Sequence, residues 1–408
     1  MSVIYRYIIM LKELKRIFAD SYVLIIFLLG GLLYPIIYGL IYYKGTVDEM
    51  PVAVVDLSQS SDSRRFIQKI DATREVDVAY KCVSMAEAQE LMKERKVRGI
   101  VLFPEDYGDR LARMEQATIS TYADMASFLY YKNITMAVNH VMIDELRTIE
   151  TTRFASLGMT DEAIAQMVEA IPAEENIPFN TNWSFLIFFL SAALLLVIQQ
   201  TMFFGVSVMN GSMREGKATH DGSLIGRAAA YALVYVGIAC YCLLVVPAIF
   251  KMPQRGQLPD LLALIFFFVI DCVAFSFTFS RFVRHRETVF VELLFMSSLC
   301  LFLSGTIWPV SSMSPFWKAV SWVFPSTFAI QGFHAVNNAA ATLPMIRPQL
   351  IGLISQFAFY SIAAFLMDYR ERNHYESRLH KLIEKRTRLI EGRIKARQAQ
   401  EAALEATK

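Results

Sequence analysis

Long apolar runs separated by short polar stretches dominate the second half of the chain. A run of about 20 mostly apolar residues is long enough to cross a bilayer as a helix. Four such runs stand out: Tyr22–Tyr43, Trp183–Met209, Ala228–Phe250 and Leu261–Phe279. Two shorter or more polar runs, Val289–Leu303 and Leu350–Met367, bring the expected number of crossings to about six. Ahead of the first run, Ile4, Ile8, Leu11, Leu14 and Phe18 recur at helical spacing, with Arg6, Lys12, Lys15 and Arg16 between them. That pattern suits an amphipathic helix lying in the membrane surface. No small-residue cleavage site follows the first apolar run, so a removable signal peptide is not expected.

Between the first two runs the pattern changes. "PVAVVDL", "VDVAY", "VRGIVLF" and "ATISTYAD" read as short strands. "SSDSRRFIQKI", "SMAEAQELMKERK" and "EDYGDRLARM" read as helices between them. Ser60 or Ser61 is placed to cap the first, and Ser84 with Glu87 to cap the second. Alternating strands and helices predict a small α/β domain with a partly parallel sheet. Helical stretches near Met125–Phe154 and Asp161–Ala170 then lead back toward the membrane as a stalk. The "NIT" sequon at Asn133 falls inside the longer stretch, where a chance match is the better reading.

The distribution of Lys and Arg orients the spans, because cytoplasmic loops carry the excess. Arg6, Lys12, Lys15 and Arg16 precede the first span; Arg214, Lys217 and Arg227 follow the second; Arg281, Arg284 and Arg286 follow the fourth. With six crossings these segments and the basic C-terminal tail share one side, the cytoplasmic one. The opposite loops hold Lys251 and Arg255, then Lys318 and Arg347. Trp183, Trp308, Trp317 and Trp322 all fall near the outer interface, the depth that indole prefers. In the tail, Leu379, Leu382, Ile383, Leu389, Ile390 and Ile394 form a stripe on a charged helix. That stripe fits a short coiled coil, a helix on anionic lipid, or a solvated tail.

Composition agrees with this division. The 408 residues are 55% hydrophobic and 19% charged, against about 25% charged in a typical soluble domain. Net charge is +2, which points to no nucleic-acid or other polyanionic partner. Of the five cysteines only Cys82 lies in a polar region, so no disulfide framework is expected. Cys240 and Cys242 are two apart and point away from each other on a helix, as small core residues rather than a metal pair. No G-x-x-x-x-G-K-[ST] loop and no G-x-S-x-G elbow occurs, and the six histidines are scattered. No metal site, resident cofactor or catalytic residue is expected, and an enzyme reading is rejected. Within the apolar runs, Gln199, Gln200, Asp271 and Glu292 are the polar candidates. Ionisable groups at such depth face a polar cavity or a partner.

One stretch fits neither a span nor a soluble loop: "SGTIWPVSSMSPFWKAVSWVFPSTFAIQGF", residues 304–333. It is strongly apolar, yet Gly305, Pro309, Pro315 and Pro325 interrupt any helix. Together with the surface helix, the single span before the domain opening "MPVAVVDLSQSSDSRRFIQKI", the continuation "EAQELMKERKVRGIVLFPEDYGDRL" and the block of later spans, it resembles the permease subunits of type-2 ATP-binding-cassette exporters. The resemblance covers nearly the whole chain. It implies a dimer with a second copy or a paralogue, in the lipid bilayer of a bacterial inner membrane. It implies a separate ATPase subunit that carries the ATP and Mg, and it allows a periplasmic adaptor as a further partner. It makes 304–333 an outer re-entrant gate, with Ser304, Gly305, Trp308, Pro309, Trp317 and Pro325 as its marked positions. It makes Arg214, Glu215, Gly216 and Lys217 the ATPase-coupling loop, although "MNGSMREGKATHDGSLIGRAA" is shorter and richer in glycine than the family's loop.

The expected fold is an α-helical polytopic membrane protein with an extracytoplasmic α/β domain inserted between helices one and two. Its parts are an interfacial helix at 1–21, a first span at 22–43, the α/β domain and stalk at 44–181, a five-helix membrane domain at 182–368 and a cytoplasmic tail at 369–408. A membrane-anchored receptor or scaffold that binds a partner through the outer domain is the alternative. An ion-coupled carrier would need Asp271 or Glu292 to titrate, and no inverted repeat supports it.

Overall fold

The computed structural model describes residues 3–44, 46–168, 184–214, 223–283 and 285–371. The chain divides into two compact units, one of Lys44–Ile177 and one of Met1–Tyr43 with Pro178–Lys408. The tail stripe from Leu379 onward and Trp183 lie outside the described residues.

The chain opens with α1, Val3–Ala19. Ile4, Ile8, Leu11 and Phe18 are exposed, whereas Ile9, Glu13 and Ile17 are buried. The apolar stripe therefore faces outward, as a helix lying in lipid would have it, and the opposite face docks on the protein. Helix α2, Ser21–Ile41, is the first helix long and apolar enough to span a membrane. Asp20 caps it, accepting from the amides of Tyr22 at 3.0 Å and Val23 at 3.3 Å.

The unit Lys44–Ile177 is built from β1 (Met50–Asp56), α3 (Ser61–Asp71), β2 (Val76–Cys82), α4 (Met85–Lys93), β3 (Gly99–Phe103), α5 (Tyr107–Ala112), β4 (Ser120–Ala123), α6 (Phe128–Ser156) and α7 (Asp161–Val168). The strand order is β2-β1-β3-β4, with β1 parallel to both neighbours and β4 antiparallel to β3. Alternation along each strand sends side chains to opposite faces. Val52, Val54, Val101 and Phe103 pack beneath Phe66, Ile70, Tyr107 and Ile134, while Ala53, Val55 and Ile100 pack with Ala88 and Val97. Ser60 caps α3 by accepting from the Ser63 amide at 3.1 Å. Ser84 caps α4, and the Glu87 carboxylate reaches back to the Val83 amide at 3.0 Å. The four strands and the helices between them thus fall where the alternation of the sequence places them. Asn133 lies in the second turn of α6, and its amide donates to the Val47 carbonyl at 2.6 Å.

One ion cluster fastens α6 to α3. Glu145 is buried and receives Arg65 at 2.8 Å and Lys69 at 2.9 Å. Burial pushes its carboxyl up, but the hydrogen bonds from Arg65 and Lys69 outweigh it and hold Glu145 below the usual carboxylate range.

The other unit continues with α8 (Phe185–Arg214), α9 (Leu224–Ile249), α10 (Leu258–Phe279), α11 (Val289–Leu303), α12 (Pro315–Ser321), α13 (Pro325–Phe333) and α14 (Arg347–Glu371). Among the described residues five helices are long and apolar enough to cross a membrane: α2, α8 over Phe189–Met213, α9, α10 and α14. The expected sixth, α11, is formed over the expected residues but has only 15. At about 1.5 Å per residue that is roughly 22 Å, short of a hydrocarbon core about 30 Å thick. Against the expected number of about six crossings stand five long helices and one shorter one among the described residues. The core gathers α8, α9 and α10, with Phe203, Phe204, Tyr231, Tyr235, Phe268 and Phe275 fully buried.

Candidate functional site

The segment 304–333 forms a turn, a short helix and a second helix. At its start the Thr306 amide donates to the Ser304 hydroxyl at 3.2 Å, and that hydroxyl donates to the Leu301 carbonyl at 2.8 Å. Gly305 has φ +85°, a region that favours glycine, and a Cβ there would lie 2.7 Å from Val310. Pro309 follows in extended conformation and leads through a 3-10 turn to α12. Trp308 is 59% exposed, and Trp317 on α12 and Trp322 at its end are about half exposed. The expected short tryptophan-bearing helix is therefore present. No ring partner within the described residues accounts for Trp308.

The corner from α12 to α13 answers how irregular backbone persists in so apolar a place. Three consecutive carbonyls lie there, and side chains reach each of them. Ser321 O accepts from the Thr327 hydroxyl at 2.7 Å, Trp322 O from the Gln356 amide, and Val323 O from the Tyr360 hydroxyl at 2.6 Å. Pro325 opens α13 without an N–H to satisfy. The next amide, of Ser326, donates to Gln199 Oε1 at 2.7 Å. Non-helical backbone at membrane depth is tolerated only where protein satisfies it. Here α8, α13 and α14 supply the partners.

The opposite end of the bundle carries ion pairs. Arg227, at the start of α9, donates to Glu13 of α1 at 3.4 Å and to Asn210 of α8 at 2.5 Å, and it lies over the Phe277 ring at 5.3 Å. Asn210 in turn donates to Ser280 at 2.6 Å. Gly226 permits the close approach, since a Cβ there would meet the Arg6 carbonyl at 2.8 Å. Arg286 reaches Asp20 at 2.6 Å and Ser212 at 3.1 Å. Arg281 reaches Asp368 at 2.9 Å and also Glu371. These contacts bring together α1, the start of α2, the end of α8, the start of α9, the end of α10 and the end of α14. Arg227, Arg281 and Arg286, counted from sequence among the loop charges that orient the spans, are held in ion pairs, because each lies where a span ends beside a carboxylate from another element.

Arg214 ends α8 at this same end of the bundle. Glu215, Gly216 and Lys217 lie outside the described residues, as does Arg284. The polar candidates within the spans separate. Gln199 is buried and bonded on both sides, to Ser326 and, at 3.5 Å, to the Cys300 sulfur. The Gln200 amide and both Asp271 oxygens are buried without a hydrogen-bond partner among the described residues. Asp271 therefore makes no structural hydrogen bond there. Glu292 lies on α11. All five cysteines are free, and no three His, Cys, Asp or Glu side chains gather as a metal site among the described residues.

A family model described as "ABC-2 family transporter protein" matches residues 22–366. The chain belongs to the ABC-2 transporter family. The match takes in both the α/β unit and the corner of 304–333, and it makes the chain the membrane component of an ABC transporter, of the permease type. No curated protein matches the chain.

For an ABC-2 transporter protein, the residues missed from sequence are the acids. Glu13 was legible: Ile9, Glu13 and Ile17 are spaced by four, so an acid interrupts one helical face. Asp20 directly precedes an apolar run, as a cap does. Asp368 gives no such signal, because its partner Arg281 is distant in sequence.

Proposed function

We propose that the chain is the permease subunit of an ATP-driven type-2 exporter, and that it forms a translocation path as a dimer with separate ATPase subunits. ATP and Mg are bound by those partners. The family match over nearly the whole spanning region carries this reading. The ion-paired end of the bundle faces the cytoplasm, in keeping with its Lys and Arg content. Both termini are cytoplasmic, in a bacterial inner membrane, and Lys44–Ile177 lies outside it. An adaptor protein beyond the membrane is a further partner of that outer unit.

Residues 304–333 form the outer gate. Ser304 and Gly305 make the hinge turn, Trp308 and Pro309 lie at the mouth, Trp317 sits at the interface, and Pro325 starts the inner arm. What supports this is that the corner is satisfied by protein groups, while Ile307 and Trp308 just after the buried Ser304 turn are exposed. Arg214, Glu215, Gly216 and Lys217 contact the ATPase, supported by the position of Arg214 at the ion-paired end.

The test is charge reversal, Arg214→Glu with Glu215→Lys. ATPase binding should weaken while membrane insertion is unchanged. Full complex assembly and full transport in the double variant would sink the assignment of the coupling loop.

A further inference from the structure

We infer that Gln199 is the positioning residue of the gate: its side-chain amide fixes the inner arm α13 to α8, and through α8 to the end of the bundle where the ATPase is proposed to bind. The gating part presupposes that 304–333 is the outer gate of a permease.

The local chemistry singles Gln199 out. Helix α13 has no side-chain cap at Phe324, and Pro325 offers no donor, so Ser326 provides the first free amide. An unmet amide at the start of a buried helix is unfavourable. Gln199 Oε1 meets it at 2.7 Å from another helix, while Gln199 Nε2 faces Cys300 on α11. The side chain is 1% exposed, so water cannot substitute for it. The other anchors of the corner, Gln356 and Tyr360, come from α14 and donate to carbonyls. Beyond the packing of α13 on α8, Gln199 gives the hydrogen bond from the corner to α8 among the described residues.

Helix α8 is suited to carry a displacement. It runs unbroken from Phe185 to Arg214. From Gln199 to Arg214 is about 22 Å of helix at about 1.5 Å per residue. Its far end is tied by Asn210 and Ser212 to Arg227 and Arg286. A shift of α8 driven at the loop after Arg214 therefore pulls on the Gln199–Ser326 bond, and the corner follows.

The experiment uses the full-length chain with its ATPase in lipid nanodiscs. It compares wild type with Gln199→Met, which keeps the length and removes the acceptor. It adds Gln199→Glu, which keeps an acceptor oxygen, and Cys300→Ala, which removes only the sulfur contact. Backbone hydrogen exchange is read over residues 321–330 and, as a control, over α10. ATP hydrolysis without cargo is the second readout. In Gln199→Met, exchange over 321–330 should rise about tenfold or more, since a buried donor has lost its acceptor. Exchange over α10 should stay unchanged, and cargo-independent hydrolysis should rise severalfold. Gln199→Glu should restore both in part, and Cys300→Ala should match wild type. Unchanged exchange over 321–330 overturns the positioning role. An equal rise over α10 also overturns it, because the fold has then merely loosened. Raised exchange with unchanged hydrolysis overturns the gating role. If no ATPase assembles with the wild-type chain, the permease reading fails by itself, and the exchange comparison still decides whether Gln199 holds the corner.

Discussion

Glu13 lies on a surface helix yet is 1% exposed, and its partner Arg227 is 3% exposed. Replacing Glu13 with alanine leaves that guanidinium buried, with Asn210 and the face of Phe277 as its remaining contacts. At 3.4 Å and an effective dielectric of about 20, the lost attraction is about 5 kcal/mol. Breaking a buried pair typically costs about 3–5 kcal/mol. The retained Asn210 bond lowers this, so about 2–3 kcal/mol is expected for undocking α1 from α9. The assay is thiol labelling at Ile17→Cys, a position with no exposure on the docked face, with the native cysteines replaced. If labelling proceeds through undocking, that energy corresponds to a rate increase of roughly 30- to 150-fold. The charge swap Glu13→Arg with Arg227→Glu should recover part of the loss and not all of it, because Arg16, 3.5 Å from the Glu13 carboxylate, then meets a like charge. Labelling within twofold of the parent in Glu13→Ala, or no recovery in the swap, would refute the reasoning that the pair docks the helix.

Other outcomes follow from the same contacts. Glu145→Gln should weaken the α/β unit by about 1–3 kcal/mol, because Arg65 and Lys69 lose their shared carboxylate; pulse proteolysis of the full-length protein reads this. A depressed carboxyl contributes stability that is full above its unfolded pKa, near 4.5, and is lost as pH falls through its lower folded pKa. Wild type should therefore lose protection in that acid window, and Glu145→Gln should lose less; equal acid profiles would contradict the assignment. Gly305→Val should cost about 1–3 kcal/mol through its φ of +85° and the contact with Val310, measured as a lowered Tm in detergent. An unchanged Tm would show that the turn tolerates a side chain. Val83→Cys, on the exposed surface of the α/β unit, should react with an impermeant thiol reagent in intact cells, whereas a cysteine at Tyr369 should not; the reverse pattern would invert the topology.

Much of the fold is legible in local pattern, because local pattern makes it. The short continuous apolar runs "PVAVVDL" and "VRGIVLF" mark strands buried on both faces, so their successive side chains reach both cores of one sheet, and Ser60 and Ser84 cap where their spacing says. Length alone identifies the long spans. The ends of elements are less legible: α11 stops at Leu303 because the glycine turn begins there, and a 15-residue apolar run does not reveal whether it crosses. Contacts distant in sequence are least legible. Lys and Arg near span ends look like solvated loop charges until Glu13, Asp20 and Asp368 arrive from other elements. Gln199 is visible as a polar residue in an apolar run, but its partner is a backbone amide 127 residues away, which no periodicity encodes.

The central claim is that this ABC-2 transporter protein is driven by a separate ATPase. The most direct measurement is to purify the full-length chain from its native membrane under mild conditions, identify its partners by mass spectrometry, and assay ATP hydrolysis. The account predicts a stoichiometric nucleotide-binding subunit bearing a phosphate-binding loop, with hydrolysis that disappears when that subunit is stripped away and returns when it is added back. A chain that purifies from functional membranes without such a subunit and retains its transport activity would contradict it.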